Sequence, residues 1–133
     1  MRYLGLDLGT RTLGLSYSEG VIASSLKTIR YTEEEYLIEE LKKVIDEYKI
    51  DLLVLGLPKN MDNTIGPRAE STLEFKNKLE NMGYKVELQD ERLSTVSAHN
   101  YMIEADMSRK KRKQKVDALA ATIILQTYLE RRK

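Results

Sequence analysis

The stretch YLGLDLGTRTLG, residues 3–14, decides the fold, because a single carboxylate interrupts an otherwise apolar strand pattern. Leucines at positions 4, 6 and 8 alternate with glycines and Asp7, so the pattern predicts a strand with the leucines on one face and Asp7 on the other. An ionised carboxylate in a buried strand costs several kcal/mol unless it is paired or bound to a cation. Asp7 therefore predicts partner groups elsewhere in the sequence.

The composition limits the kinds of protein that this chain can be. It has 133 residues, 41% hydrophobic and 32% charged, with a formal net charge of +1 and no cysteine. These values are typical of one globular domain spanning residues 1–133, and they exclude a disulfide framework and thiolate metal sites. No apolar run approaches the roughly 20 residues of a membrane span, and no signal peptide is recognisable. We expect a cytoplasmic protein without a membrane partner.

Hydrophobic periodicity predicts a mixed α/β sheet with helices on its faces. Three strands form an antiparallel meander, a helix and a buried central strand follow, and a second helix, a late strand and a final helix complete the pattern. The predicted elements are strands at 2–9, 12–17 and 21–29, a helix opened by a capping box at 32–35, a strand at 51–57, a helix ending near 83, a strand at 84–91, a short helix from about 94 and a long helix from about 116.

Acidic residues occur at three positions where a buried or converging site is expected. Asp7 lies in the first strand, the pair Asp90-Glu91 ends the late strand, and Asp117 heads an apolar stripe of the final helix. Taken singly, they could be a backbone-bonded aspartate, a solvated strand end and a helix-dipole aspartate. Together they would repel one another, and a hard divalent cation such as Mg²⁺ or Mn²⁺ resolves the repulsion. Such a site can hydrolyse a phosphodiester.

A dense basic run stands immediately before Asp117. Its cations are Arg109, Lys110, Lys111, Arg112, Lys113 and Lys115. A run of this kind is often a solvated loop, but beside a metal site it would hold a polyanion backbone. Arg11, Arg68 and Arg92 are further candidates for phosphate contacts, because arginine binds phosphate in a bidentate manner. Aromatic residues for base stacking are scarce: the chain has no tryptophan and one phenylalanine.

The ordered motifs of this chain resemble those of the YqgF (RuvX) family, within the RNase H-like nucleases. The motifs are Gly5-x-Asp7-x-Gly9 with Arg11 and Gly14, Gly56-Leu57-Pro58 with Asn60-Met61-Asp62 and Gly66-Pro67-Arg68-Ala69, Asp90-Glu91-Arg92-Leu93-Ser94-Thr95, and Lys115-Val116-Asp117-Ala118-x-Ala120-Ala121. The resemblance implies an RNase H-like fold with a five-stranded mixed sheet flanked by helices. It also implies a divalent metal held by acids of the first strand, the late strand and the final helix.

The resemblance assigns two metal ligands directly and leaves the middle one open. Asp7 and Asp117 carry over from the motifs, and Glu91 is the first choice for the middle ligand, with Asp90 in reserve. Alternation groups Asp90 with Val86 and Leu88, which argues for Asp90, but strand ends often bulge. Two departures are visible: Gly56-Leu57-Pro58 stands where the related RuvC-type resolvases carry an acid, and Asn63 stands where the family usually has glycine.

The function implied by the resemblance is metal-dependent cleavage of nucleic acid. Processing of the 5′ end of precursor 16S ribosomal RNA is favoured, and resolution of Holliday junctions is the alternative. We expect a monomer or a weak homodimer. Two other interpretations compete: a non-catalytic nucleic-acid-binding module, and an ATPase, because GLDLGTRT (5–12) resembles the phosphate loop of the actin and sugar-kinase superfamily. Those ATPases close two such domains around the nucleotide, and 133 residues supply one.

Overall fold

A computed structural model describes residues 1–58, 66–90 and 109–131, with the side chains of the last range described from Ala118 onward. Within these ranges the chain forms five strands and three helices. They are β1 (Tyr3–Leu8), β2 (Thr12–Ser18), β3 (Ser24–Arg30), α1 (Glu34–Tyr48), β4 (Leu52–Leu57), α2 (Pro67–Asn81), β5 (Val86–Asp90) and α3 (Arg109–Arg131). The short helix predicted from Ser94 lies outside the described residues.

The five strands form one mixed sheet with the order β3-β2-β1-β4-β5. The pairs β1–β2 and β2–β3 are antiparallel, which confirms the predicted meander. The pairs β1–β4 and β4–β5 are parallel, because a helix crosses over between each strand and the next. The strand that carries Asp7 therefore lies at the centre of the sheet.

The two faces of the sheet are covered by different helices. The leucines of β1, β2 and β4 at positions 4, 6, 13, 15, 53 and 55 form one core cluster with apolar side chains of α1 and α2. Tyr3 of β1 and Val54 of β4 alternate with those leucines and pack on the other face, with Ile124, Leu125 and Tyr128 of α3. Successive side chains of each central strand thus pack alternately in the two cores. The continuous apolar run at 51–57 predicted such a strand, covered on both faces.

The beginnings of several elements differ from the sequence-based prediction. β5 starts at Val86 rather than Tyr84. β3 starts at Ser24 rather than Val21, because Gly20 (φ 125°) extends the turn and Ala23 N–H is bonded to the side chain of Gln126. α1 starts at Glu34 without a side-chain cap, so the predicted capping box at 32–35 is wrong. α3 begins at Arg109 rather than about Val116, so the basic run is helical and the solvated-loop interpretation is wrong. None of the helices within the described ranges could span a membrane.

Candidate active site

The carboxyl ends of β1, β4 and β5 meet at one edge of the sheet. These strands are parallel, with Leu6 opposite Leu55 and Leu57 opposite Asp90. In open α/β sheets this edge is the usual place for a ligand site. The edge therefore brings the end of the YLGLDL strand and the end of the late strand to the same side of the molecule, as the prediction of a shared acidic site requires.

Asp7 is a buried carboxylate on the face of the sheet that α3 covers. Its side chain is 7% exposed. Asp7 lies on the same face of β1 as Tyr3, which packs in the α3 core, and Gly5, whose Cα lies against α3. Such a carboxylate is stabilised when its charge meets a cation or hydrogen-bond donors. Asp7 thus occupies a central, desolvated position that suits a metal ligand.

The course of α3 across the sheet points its N-terminal part toward Asp7. The ring centroids of Tyr128 and Tyr3 are 6.3 Å apart at the start of β1. About two turns earlier in the helix, the carbonyl of Ala121 accepts a 2.7 Å hydrogen bond from the buried Ser16 hydroxyl, which lies opposite Gly5. α3 therefore runs antiparallel to β1, and Asp117 stands one further turn, about 6 Å, toward the Asp7 end.

A network of hydrogen bonds holds the loop that follows β1. Gly9 N–H donates to the Thr12 carbonyl at 2.7 Å, and the Tyr31 hydroxyl donates to the Gly9 carbonyl at 3.2 Å. Burial, with the Glu34 carboxylate nearby, raises the pKa of Tyr31, and its hydroxyl donates the bond to Gly9. No local pattern predicts this contact, because Tyr31 and Gly9 are 22 residues apart.

Arg68 is held beside the same loop from the opposite face of the sheet. Its Nη2 donates to the Leu8 carbonyl at 3.2 Å. It lines a cavity of about 360 Å³ together with Thr10, Tyr31 and Lys78. The structure therefore places two of the predicted basic residues, Arg68 and the exposed Arg11 of the β1–β2 turn, at the edge where β1 ends. Arg92 lies outside the described residues.

The late strand shows which of its side chains share the face of Asp7. The Tyr128 hydroxyl of α3 donates to the Glu87 carboxylate, and Arg131 Nη1 donates to Gln89 Oε1 at 2.6 Å. Val86 and Leu88 pack in the core of α1 and α2. Asp90 is two residues beyond Leu88 on β5 and therefore lies on the same face as these two residues. This face of β5 is opposite to the face of Asp7. The shared face of Asp90, Val86 and Leu88 therefore does not favour Asp90 as the partner of Asp7.

The remaining predicted site residues lie beyond the described side chains. Glu91 is outside the described ranges, while Asp117 and the basic run at 109–115 are placed on α3 by their backbone alone. Among the side chains that the structure describes, no group of three or more acidic, histidine or cysteine residues could hold a metal ion. Of the four predicted ligands, only Asp7 and Asp90 are among these described side chains. Carboxylate oxygens are ligands that Mg²⁺ and Mn²⁺ accept, so the buried Asp7 fits such a cation.

Comparison with known proteins identifies the family. The family model described as "RuvX: Holliday junction resolvase" matches residues 1–131. The chain belongs to the RuvX family. It is 52% identical over 134 residues to a protein of Clostridium botulinum (strain Eklund 17B) named "Putative pre-16S rRNA nuclease", with 98% of each chain covered. A protein of the same name from C. botulinum strain Hall is 50% identical over 133 residues, covering 98% of this chain and 97% of its own length.

Two solved structures of resolvases share the fold of this RuvX member. Thermus thermophilus RuvC in complex with a Holliday junction substrate gives a TM-score of 0.60 at 16% identity, over 99% of this chain and 95% of that chain. The fowlpox virus resolvase in complex with Holliday junction DNA gives 0.61 at 11% identity, over 98% of both chains. These neighbours confirm the RNase H-like fold that the motifs predicted.

Proposed function

We propose that this RuvX-family chain is a divalent-metal-dependent nuclease that processes the 5′ end of precursor 16S ribosomal RNA in the cytoplasm. The observation that carries the proposal is the buried carboxylate of Asp7 at the carboxyl edge of the sheet, on the face covered by the helix that bears Asp117. The ribosomal RNA substrate is supported by relatives at 50–52% identity that are named as pre-16S rRNA nucleases.

The proposed ligand set is Asp7, Asp117 and one acid of the late strand. Glu91 is the better middle ligand, because residues 87 and 89, four and two positions before it, are bonded to α3 and so lie on the face of Asp7. A bound Mg²⁺ would supply Lewis acidity and stabilise developing charge on the phosphate oxygens. The protein's own part would be to bring these carboxylates together at one edge of the sheet.

The arginines at this edge and the basic run of α3 would bind the polyanion. Arg68 donates one N–H to the Leu8 carbonyl, and its other N–H groups can donate to a phosphate. The run from Arg109 to Lys115 occupies the first two turns of the same helix that carries Asp117. Backbone phosphates bound there would lie next to the carboxylate edge, where the cleaved bond must be placed.

A cleavage panel tests the proposal. Wild-type protein and Asp7→Asn are incubated with precursor 16S ribosomal RNA and with a four-way DNA junction, in Mg²⁺, Mn²⁺ or chelator. We expect metal-dependent cleavage of the RNA by wild type and a loss of about 100-fold or more in Asp7→Asn, since a metal supplies several kcal/mol and each 1.36 kcal/mol is tenfold in rate. RNA binding should be unchanged or tighter, because the substitution removes a negative charge.

Asp46→Asn is the matched control, because it makes the same chemical change at an exposed position of α1, and it should cleave like wild type. Full cleavage by Asp7→Asn would remove Asp7 from the site. Absence of cleavage by wild type in either metal would leave a nucleic-acid-binding module without catalysis.

Holliday junction resolution is the second candidate. It is favoured by the description of the family as a Holliday junction resolvase and by the two resolvase structures. A resolvase must cut two strands and so needs two active sites, whereas the RNA reaction needs one. We propose a monomer or a weak homodimer, which sedimentation velocity with and without each substrate would measure. Preferential cleavage of the junction by a stable dimer would replace the ribosomal RNA proposal.

A further inference from the structure

A groove lined by arginine and tyrosine crosses the rim of the sheet next to the proposed active site. It has a volume of about 460 Å³, and its lining residues are Arg11, Thr12, Arg30, Tyr31, Thr32 and Tyr36. The groove is formed by the β1–β2 turn, the end of β3 and the start of α1. Its volume lies in the range of pockets that bind small ligands, so it has room for a nucleotide.

The register of the meander places Arg30 on the same face as Asp7. Asp7 is opposite Gly14, Gly14 is opposite Thr28, and Thr12 is opposite Arg30 one step nearer the edge. Ile29, between Thr28 and Arg30, packs in the core of the other face. Two strand spacings across and two residues along separate the Cα atoms of Asp7 and Arg30 by about 12 Å. A chain that reaches Asp7 can therefore pass over Arg30.

The charges of the groove favour an anion. Arg11 and Arg30 are both exposed, and neither forms an ion pair within the described part of the chain. Among the described residues, those that line the groove include no acid. Of the acids that begin α1, Glu34 is bound by Lys78 Nζ at 2.8 Å outside the groove. The groove thus offers two guanidinium groups that have no ion pair among the described residues, and such groups suit phosphate.

Tyr36 gives the groove an aromatic surface. Tyr36 is 50% exposed and lines the groove together with two arginines. Tyr31 lies at the other side of the groove and is anchored to the loop after β1 by its bond to the Gly9 carbonyl. Exposed aromatic rings with neighbouring cations are how proteins bind single-stranded nucleic acid, with bases stacked on the rings and phosphates on the cations.

We infer that the Arg11–Arg30–Tyr36 groove is a binding track for single-stranded nucleic acid that leads the strand to Asp7. The inference rests on the proposed function, since it supplies the substrate strand to that site. It assigns Arg30 as a phosphate contact and Tyr36 as a base-stacking residue. A duplex cannot use the Tyr36 ring, because its bases are already stacked, so the groove selects an unpaired segment.

Fluorescence anisotropy with a short fluorescein-labelled single-stranded RNA tests the track. It is run in chelator, so that no cleavage occurs, and over a series of salt concentrations. Tyr36→Ala should weaken binding by about 5- to 150-fold, the range measured for the loss of one stacked base. Tyr36→Phe keeps the ring and should bind like wild type. Arg30→Gln should weaken binding and reduce the slope of log K against log salt by about 0.7.

Lys85→Gln is the matched control for Arg30→Gln, because it removes one exposed positive charge at the opposite edge of the sheet. It should leave binding unchanged, and a duplex RNA should bind equally to wild type and Tyr36→Ala. The track is overturned if wild type does not bind the single strand, if Tyr36→Ala and Arg30→Gln bind it like wild type, if Tyr36→Phe loses as much as Tyr36→Ala, or if Lys85→Gln loses as much as Arg30→Gln.

The experiment separates this inference from the proposed function. If wild type cleaves RNA but the groove variants bind normally, the track is wrong and the nuclease stands. If the groove variants lose binding while wild type cleaves nothing in Mg²⁺ or Mn²⁺, the track stands and the nuclease is wrong.

Discussion

Replacing Gly5 with alanine should move α3 away from the sheet. A Cβ at this position would lie 2.2 Å from Ser16 Oγ, 2.8 Å from Leu125 Cβ and 2.9 Å from the Ala121 carbonyl oxygen. Carbon atoms pack at about 3.5–4.0 Å, so the contact with Leu125 falls short by roughly 0.7 Å or more. The Ser16 hydroxyl could rotate, but the Ala121 carbonyl is part of the helix backbone and Leu125 Cβ is bonded directly to it. The helix itself must therefore shift.

The expected cost of this shift has two parts. Overpacking of a well-packed core costs about 1–3 kcal/mol. Separating α3 from β2 also breaks the buried bond from Ser16 to the Ala121 carbonyl, and an unsatisfied buried group costs about 1–3 kcal/mol. The free energy of unfolding should thus fall by about 2–6 kcal/mol, out of a total of about 5–15 kcal/mol for a typical domain. For a domain of this size the melting temperature should fall by about 7–20 °C.

Urea and thermal unfolding followed by circular dichroism measure the loss. Ser16→Ala and the double variant Gly5→Ala/Ser16→Ala complete a cycle. Removing the hydroxyl should reduce the cost of Gly5→Ala only in part, because the contacts with Leu125 and Ala121 persist. The packing explanation is refuted if Gly5→Ala is as stable as wild type or more stable. An alanine free of contacts would instead gain about 0.5–1 kcal/mol over glycine in a strand.

The same substitution has a functional consequence under the proposed function. Asp7 follows Gly5 by two residues on β1, and Asp117 precedes Ala121 by one turn on α3. A helix displaced by nearly 1 Å carries Asp117 away from Asp7, and misplacements of about 1 Å can cost 100-fold in rate. Metal-dependent cleavage by the folded fraction of Gly5→Ala should fall accordingly. Cleavage at the wild-type rate would show that the two acids do not act together.

Two further substitutions concern α3. Changing Lys110, Lys111 and Arg112 together to glutamine should weaken RNA binding and lower the salt slope by about 2, as three phosphate contacts are lost; an unchanged slope in anisotropy titrations would make this segment an ordinary solvated helix surface. Tyr128→Phe removes the hydroxyl that donates to Glu87 and should lower the free energy of unfolding by about 1 kcal/mol; an unchanged urea midpoint would show that this bond adds nothing to the docking of α3.

Local patterns were sufficient for most of the architecture. The alternation of residues 3–8, the continuous apolar run at 52–57 and the apolar stripe of Ala120, Ala121 and Ile124 each predict an element that the structure contains. The meander followed from the short turn at Ser18–Gly20. These signals depend on neighbours in the chain, so they can be detected before any tertiary contact is known.

The start of α3 shows why hydrophobic periodicity can miss a helix. Residues 109–115 are lysine, arginine and glutamine only, so they contain no apolar residue from which a period could be detected. The same residue types are good helix formers, and intrinsic propensity was the signal that could have extended the helix to Arg109. The tyrosines of the groove were missed for another reason. Tyr31 and Tyr36 meet Arg11 through tertiary contact, which composition does not reveal.

The face on which Asp90 lies shows a second limit. Alternation groups residues 86, 88 and 90 correctly, but both faces of this sheet are covered, so an apolar partner does not identify the face of Asp7. That choice needed the contacts of Glu87 and Gln89 with α3. The sequence therefore predicts the candidate site only as a set of acids, whereas the face on which Asp90 lies follows from the packing of α3.

α3 links the stability of this fold to its proposed chemistry. The helix is continuous over 23 residues. Its C-terminal half is fixed by the bond from Ser16 to Ala121 and by the tilted ring contact of Tyr128 with Tyr3, and it determines where the N-terminal half lies. Asp117 and the basic run are in that N-terminal half, within about 12 Å of one another along the axis. One rigid element would thus position a metal ligand and the phosphate-binding cations together. A variant that loosens the C-terminal contacts should lose RNA binding and cleavage in parallel, whereas Asp7→Asn should lose cleavage alone.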